Sequence, residues 1–309
     1  MNSFFSALFD PSLSFLRNAL AAALLSSVLF GVLGAVITVR RIAGLAGAIS
    51  HAVLGGIGMA LYLSAKGIIP GLPPIAGAIV FALLAALIIG IVSLKAKQRE
   101  DTVINAIWAI GMSIGVLFMA KTPGYTDPAS YLFGNILLIS RSDLVMLAIL
   151  DVIVAALAWR YYPQLEATSF DNEFAKVRGV PVDAVFLILL CITAVAVVLL
   201  QTFVGIVMVI AMLTLPAGTA GYFARNLAGM MITGWIFSTL FSVSGLAMGW
   251  VFDVPAGALV VVIAGGVFLG AAAFRVIAAG RGINKEAAAS TPSDPQAKKE
   301  TASEAGVRS

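Results

Sequence analysis

The amino-acid sequence predicts an all-α polytopic membrane protein, and three observations support this prediction. Hydrophobic residues make up 61% of the 309 residues, and only 11% are Asp, Glu, Lys or Arg, against roughly 25% in soluble domains. The mean hydropathy is +1.04. Apolar stretches of about 20 residues, the length that crosses a bilayer as a helix, recur along the chain. The composition excludes a cytosolic enzyme and a nucleic-acid-binding domain, and the single cysteine excludes an intrachain disulfide.

Nine apolar segments are long enough to cross a bilayer. Because they lack the alternating polar positions of barrel strands, we expect them to be helices. Eight or ten spans stay possible, since the first run is long and two runs nearly meet around 201–204. In chain order the segments lie at about 15–39, 44–65, 72–94, 102–120, 142–160, 183–201, 204–223, 227–251 and 255–274.

The basic residues predict the orientation of these spans. With the N-terminus outside and the C-terminus in the cytoplasm, nearly all of the 19 Lys and Arg residues fall on the cytoplasmic side. The exceptions are Arg17, Lys66, Lys121 and Arg141. Cytoplasmic loops of membrane proteins carry such an excess of positive charge. The same pattern divides the chain into a transmembrane domain, 1–275, and a polar tail, 276–309, that we expect to be disordered and cytoplasmic.

Glycines four positions apart within the spans, in the pattern Gly-xxx-Gly, predict sites of close helix packing. The pairs are Gly111 with Gly115, Gly245 with Gly249, and Gly266 with Gly270.

The longest cytoplasmic loop, 161–183, predicts a short amphipathic helix over about 169–180. Ser169 or Asp171 can cap its N-terminus, and Gly179 can end it. The helical spacing places three apolar residues on one face, namely Phe170, Phe174 and Val177. Two interpretations stay open at this point. The segment is either a solvated connector or a docking helix for a cytoplasmic partner.

Two polar residues deep inside predicted spans are candidate functional residues. His51 is the only histidine, and a neutral imidazole suits manganese, iron or zinc, although it can equally pack against a neighbouring carbonyl. Asp151 lies near the middle of the fifth span, where a charge costs roughly 2.5–3.5 kcal/mol, so it faces a cavity or a hydrogen-bonding helix. Ser50 is expected to bond back to the preceding turn.

Three further residues give weaker hypotheses. Asp143 and Asp253 lie near the outer ends of spans, where they form a funnel at the outer surface or merely flank the interface. Pro216 is expected to loosen its helix and act as a hinge, because proline removes a backbone hydrogen bond.

Three motifs, taken together, resemble those of the zinc/manganese ABC-importer permeases. The first motif is 40–57, where a basic pair precedes a Ser-His-Ala core around His51. The second motif lies in the cytoplasmic loop and consists of Asp171, Glu173, Ala175 and Gly179. The third motif is 205–217, which runs from a glycine to a Pro-Ala pair. The motifs follow the order of the family, and the resemblance covers about 15–275.

The resemblance implies a homodimeric permease in the bacterial cell membrane, two ATP-binding cassette subunits and an extracytoplasmic metal-binding protein. It implies that ATP is hydrolysed on the partner, so that this chain is not an enzyme and binds no cofactor of its own. The chain indeed lacks the G-x-x-x-x-G-K-[ST] phosphate loop. The implied ATPase-coupling residues are Phe170, Asp171, Glu173, Phe174, Ala175 and Gly179.

The resemblance also implies that His51 is a metal ligand, with one departure. Many members have an aspartate four residues before this histidine, and here that position is Gly47. Asp151 is therefore the candidate replacement carboxylate. The transported metal stays open between zinc, manganese and iron, and the alternative functions are a stand-alone secondary transporter or channel and an intramembrane enzyme.

Overall fold

The computed structural model describes residues 4–95, 100–124 and 139–289. In these ranges the chain is helical and contains no β-strand. The helices are α1 (Phe4–Leu8), α2 (Ser14–Val39), α3 (Ala43–Ala65), α4 (Pro74–Lys95), α5 (Glu100–Lys121), α6 (Arg141–Arg160), α7 (Tyr162–Phe170), α8 (Asn172–Val177), α9 (Val182–Val204), α10 (Ile206–Ala220), α11 (Leu227–Phe252) and α12 (Ala256–Ala289).

Among the described helices, eight are long and apolar enough to cross a bilayer: α2, α3, α4, α5, α6, α9, α11 and α12. The remaining predicted segment, 204–223, corresponds to α10, which has only 15 residues. At 1.5 Å per residue this helix is about 22 Å long, shorter than the roughly 30 Å hydrocarbon core. Gly205 sets its start, because its φ of 83° ends α9 and favours glycine. Helices α9 and α10 therefore form a broken helix, interrupted at Gly205.

Helices α2 and α11 run antiparallel and pack closely on each other. Near one end the rings of Phe15 and Trp250 are 6.2 Å apart. Nearer the other end, Gly31 lies directly against Trp235, where a Cβ on the glycine would be 2.6 Å from the tryptophan backbone nitrogen. The absence of a side chain on Gly31 thus lets the two helices approach closely.

One end of the bundle gathers the elements that the sequence predicts to be cytoplasmic. The Arg40 guanidinium, at the end of α2, donates to the Thr168 hydroxyl of α7 at 3.5 Å. The Tyr162 hydroxyl of α7 accepts from the Ala228 backbone N–H of α11 at 3.2 Å. The end of α2 and the start of α11 therefore lie beside the segment between α6 and α9.

The helices differ strongly in how much of their apolar surface is covered. In α2 and α3, 67% and 72% of the most apolar stretch is buried, whereas the values for α5 and α12 are 17% and 11%. The core is thus built around α2 and α3. The outer faces of α5 and α12 remain for lipid or for another chain.

Two of the three predicted glycine pairs pack closely. Gly111 and Gly115 of α5 lie against α3, and Gly245 and Gly249 of α11 lie against α12. For Gly266 and Gly270 an added Cβ would meet nothing within 4 Å among the described residues, so close packing of this pair stays a prediction.

The C-terminal part of α12 extends past the predicted end of the transmembrane domain at residue 275. The helix continues to Ala289, and by its contacts the chain divides into two units, Met1–Phe268 and Leu269–Ser309. Residues 290–309 lie outside the described residues, so the disordered tail stays a prediction.

Candidate functional site

His51 lies on α3 at the interface with α5. Its ring stacks on the indole of Trp108, with centroids 4.9 Å apart and planes inclined by 30°. Its Nδ1 atom is buried and has no hydrogen-bond partner among the described residues. The neighbouring Ser50 hydroxyl donates to the Ala46 carbonyl at 2.9 Å, which confirms the predicted bond to the preceding turn. Ser50 is thus occupied within its own helix, while the imidazole keeps an unused nitrogen.

The position one helical turn before His51 is open. A Cβ on Gly47 would meet no atom of the described residues within 4 Å. The glycines on the other side of His51 behave differently, since a Cβ on Gly55 would lie 2.7 Å from the Gly111 carbonyl oxygen. Residues four apart share a helix face, so the open position and the imidazole face the same space.

Asp151 lies on the buried face of α6, where its side chain is only 7% exposed. Leu147, Leu150 and Val154 share this face, which packs against α2. Neither carboxylate oxygen has a hydrogen-bond partner within the described parts of the chain. A buried polar group without a partner costs about 1–3 kcal/mol. The carboxyl group is therefore a destabilising feature of the structure.

His51 and Asp151 lie at similar depths on different helices. They are eight and nine residues from Ala43 and Arg160, the predicted cytoplasmic ends of α3 and α6, or about 12–14 Å. However, α3 packs mainly on α4 and α5, whereas α6 packs mainly on α2. Within the described ranges no group of three or more His, Cys, Asp or Glu side chains could hold a metal ion. One chain alone thus offers isolated candidate ligands, not a closed set.

The cytoplasmic segment forms two short helices where the sequence predicts one over about 169–180. Asp171 separates them, because its backbone is extended and its Oδ1 accepts from the Phe174 N–H at 2.9 Å to cap α8. Phe170 consequently ends α7. Gly179, with a φ of 79°, follows α8. Ala175 is fully buried, whereas Glu173 is exposed.

Three apolar side chains of this segment are exposed, namely Phe170 (65%), Phe174 (53%) and Val177 (87%). We call these three residues the coupling surface. Basic side chains adjoin it. The Arg178 guanidinium lies over the Phe174 ring at 5.3 Å, and Lys176 pairs with Asp183 at 3.8 Å. The segment thus presents an apolar patch with a charged rim.

Two residues anchor this segment to the bundle. The Tyr162 hydroxyl accepts from the Ala228 N–H of α11 and donates to the Glu166 carboxylate at 2.9 Å. Burial raises the pKa of this hydroxyl, and the hydrogen bond to Glu166 raises it further. Arg40 bonds Thr168 before the coupling surface and lies 5.2 Å from the Phe186 ring after it. Burial lowers the pKa of the Arg40 guanidinium. The coupling surface is therefore held from both sides by the end of α2.

The remaining candidates have structural explanations or stay untested. Asp143 forms a capping box with Ser140 at the start of α6, and Asp253 ends α11 in the left-handed conformation. Both positions favour the flanking role over a funnel. Pro216 lies inside the continuous helix α10, and the actual break is at Gly205. The hinge at Pro216 stays a prediction.

Sequence reasoning missed two residues near these sites. Trp108 contacts His51 across α3 and α5, a pairing that depends on how two helices pack and leaves no trace in the sequence. Gln201 is buried beside the break at Gly205, with both amide atoms unbonded among the described residues. A glutamine within a long apolar run is the signal that could have identified it.

Comparisons with known proteins cover nearly all of this architecture. The ABC 3 transport family matches residues 12–275. The probable metal transport system membrane protein of Chlamydia muridarum is 34% identical over 266 residues, which are 86% of this chain and 89% of that protein. The manganese transport system membrane protein MntC of Listeria monocytogenes is 32% identical over 252 residues, covering 81% and 87% of the two chains.

A solved structure, PsaBC from Streptococcus pneumoniae in complex with Fab, has the same fold. Its matching chain has a TM-score of 0.75 and 33% sequence identity, and the match covers 87% of this chain and 94% of that one. His51, Asp151 and the coupling surface all lie within the residues matched by the family.

Proposed function

Because this chain belongs to the ABC 3 transport family of membrane transport subunits, we propose that it is the permease of an ATP-driven importer for a divalent transition-metal ion. The chain is a multi-pass cell-membrane protein and a transport subunit, not an enzyme. The proposal adds the metal, the direction of transport and the coupling to ATP. Its partners are two ATP-binding cassette subunits, an extracytoplasmic metal-binding protein and a second copy of the permease.

The coupling surface is the observation on which the proposal depends. A side chain outside the bilayer is normally buried if it is apolar, and a cluster of exposed apolar residues with a polar rim is typical of a protein–protein contact. Phe170, Phe174 and Val177 form such a cluster at the predicted cytoplasmic end. A separate ATPase seated there would move α7 and α8, and the Arg40 contacts to Thr168 and Phe186 would transmit that movement to α2 and α9.

His51 supports a metal ion as the transported substrate. A neutral imidazole binds manganese, iron and zinc, and an unpaired ring nitrogen inside a membrane protein marks an ion pathway. The open position at Gly47 leaves space beside the ring for water or for a group from a second copy. The names of the relatives from Chlamydia and Listeria favour a metal, and the second of these names favours manganese. Asp151 is the second candidate ligand.

The proposed mechanism is alternating access. The delivery protein docks on the outer side and releases the metal into a path near the dimer axis. Closure of the ATPase subunits moves the coupling surface, and this movement switches the access of the path between the outer and the cytoplasmic side. His51, about two to three turns from the cytoplasmic end of α3, would be a transient ligand on this path.

Metal uptake into proteoliposomes tests the function. The permease would be reconstituted with its ATPase and delivery protein, and uptake of manganese, zinc and iron(II) would be measured with and without ATP. We expect ATP-dependent uptake that His51→Ala reduces by about tenfold or more, since each 1.4 kcal/mol of lost binding is a factor of ten. Ser50→Ala is the matched control, because its hydroxyl is bonded within α3.

Two further variants separate the metal site from the coupling. Gly47→Asp places a carboxylate beside His51 without a steric clash, and we expect it to lower the metal concentration for half-maximal uptake. Phe174→Ser should abolish ATP-dependent uptake without changing metal binding. Phe223→Ser, which changes another exposed phenylalanine, should leave ATP-dependent uptake unchanged. Equal uptake in the absence of ATPase would contradict the proposal and favour a secondary transporter.

A further inference from the structure

An apolar cavity of about 420 Å³ lies between α2, α6 and α9, close to the predicted cytoplasmic end of the bundle. Its size falls within the roughly 300–1,000 Å³ of ligand pockets. Val36 of α2 and Leu157 of α6 line it, together with Ile188 of α9, which is 59% exposed. Because α6 packs mainly on α2 and α9 packs mainly on α4, the cavity lies where these two helices separate, and it opens outward beside Ile188.

The lining is almost entirely hydrocarbon. Apart from Tyr161 and Gln164, every lining residue is apolar. Gln164 Oε1 is buried and has no hydrogen-bond partner in the described part of the chain. Apolar cavities of this kind do not hold ordered water. In a membrane the available apolar solvent is lipid.

Arg40 lies directly below the cavity. Arg40 follows the lining residue Val36 by one turn of α2. Its guanidinium lies over the ring of Phe186, which is next to the lining residue Val185 in α9. It also donates a hydrogen bond to Thr168, which follows the lining residue Gln164 by one turn of α7. Three elements therefore place the same cation at the cytoplasmic end of the cavity.

Arg40 has no acidic partner among the described residues. Of the acidic residues of the same segment, Glu166 accepts from Tyr162, Asp171 caps α8, Asp183 pairs with Lys176, and Glu173 is exposed on α8. A second cation adjoins the lining, because the Arg160 guanidinium lies 5.4 Å from the ring of Tyr161. Two cations therefore lie beside the cytoplasmic edge of the cavity.

We propose that this cavity binds one anionic phospholipid from the cytoplasmic leaflet, with an acyl chain between α6 and α9 and the phosphate on Arg40. An apolar cleft open to the bilayer matches the chain, and a basic group between helices at the cytoplasmic edge matches the headgroup. The hydroxyls of phosphatidylglycerol would also supply the donor that Gln164 Oε1 lacks. Asp151 is not a lining residue, although it shares its face of α6 with the lining residue Val154, and His51 lies on another helix. The inference holds whatever substrate the protein transports.

Native mass spectrometry of the delipidated full-length chain tests this site. The protein would be titrated with phosphatidylglycerol and, separately, with phosphatidylcholine. We expect one phosphatidylglycerol to bind first and more tightly than phosphatidylcholine. Arg40→Gln should weaken this first binding by about fivefold to tenfold, which corresponds to the loss of one favourable cation at the membrane surface.

Matched variants distinguish the site from general lipid adhesion. Ala184→Leu fills the cavity from α9 and should remove the tight binding, whereas Ala156→Leu, exposed on α6 outside the lining, should leave it unchanged. Arg41→Gln changes the adjacent exposed arginine and should have little effect. Arg40→Lys keeps the charge and should retain most of the binding.

Either of two results would overturn the inference. If Ala184→Leu binds the first phosphatidylglycerol as tightly as the unaltered chain, the acyl chain does not occupy the cavity. If Arg40→Gln and Arg41→Gln weaken binding equally, the headgroup contacts a diffuse basic surface. Should Arg40→Gln fail to fold, Arg40→Lys and Ala184→Leu still decide the question.

Discussion

The interfaces α3–α5 and α2–α6 each contain a polar residue at a similar distance from the predicted cytoplasmic ends of their helices, but they accommodate it in different ways. At α3–α5, glycines bring the two backbones together, and the imidazole of His51 stacks on Trp108. At α2–α6, Asp151 shares a buried face with Leu147, Leu150 and Val154, and its carboxyl group has no partner among the described residues. Both residues thus carry a buried polar atom without a hydrogen-bond partner there, but an ionisable carboxyl group costs more to bury than a half-buried neutral imidazole. The stability of the fold therefore does not explain why Asp151 is present.

The largest expected effect comes from breaking the close α3–α5 contact. A Cβ on Gly111 would lie 2.5 Å from the Cα of Ala52, and backbone cannot move aside as a flexible side chain can. We expect Gly111→Val to cost about 3 kcal/mol, the upper end for overpacking, and to lower both the yield and the thermal midpoint of the detergent-solubilised protein.

Gly266→Val is the control for this substitution. It introduces the same side chain into a membrane helix where a Cβ would meet nothing within 4 Å. We expect its thermal midpoint to stay close to that of the unaltered protein. If both variants lose the same stability, the effect comes from valine in a helix and not from the α3–α5 contact.

A smaller effect, of opposite sign, is expected at α2–α6. Asp151→Leu replaces the unpaired carboxyl group with an apolar group of similar shape, so the cost of burying the carboxyl group disappears. We expect a stabilisation of about 2 kcal/mol, measured as a higher thermal midpoint. If Asp151 serves transport, the same variant loses metal uptake in proteoliposomes.

Asp151→Asn sharpens this test, because it keeps a buried polar group and removes only the charge. Its stability should lie between those of the unaltered protein and Asp151→Leu. A clear loss of stability in Asp151→Leu would mean that the carboxyl group has a partner in the membrane, such as a second copy of the chain.

The sequence predicts the long helices well because charged residues end the apolar runs. The predicted spans 44–65 and 142–160 differ by one residue at most from Ala43–Ala65 and Arg141–Arg160. The segment 204–223 is a helix shorter than predicted, and the difference has a backbone cause. Gly205 adopts a positive φ that hydropathy does not record, so α9 extends to Val204 and α10 is short.

The candidate sites are predicted less completely than the helices. The sequence names His51 and the exposed residues of the coupling surface as candidates, because a lone intramembrane histidine and an apolar face in a polar loop are visible in one chain. The contacts of His51 with Trp108 and of Arg40 with Thr168 and Phe186 are not predicted, since each joins distant parts of the sequence. The amphipathic helix was predicted as continuous, whereas the capping bond of Asp171 divides it.

The smallest expected effect concerns Asp143, the other aspartate of α6. Asp143 accepts from the Ser140 backbone N–H at 3.0 Å, and the Ser140 hydroxyl accepts from the Asp143 N–H at 3.2 Å. This carboxylate is exposed and paired, unlike that of Asp151. We expect Asp143→Ala to destabilise the protein by about 1 kcal/mol, as the loss of a helix cap does, and to leave the metal concentration for half-maximal uptake unchanged. Asp143→Asn, which can still accept the bond from Ser140, should recover most of the stability. A raised half-maximal concentration without a change in stability would instead assign Asp143 to the outer path of the metal.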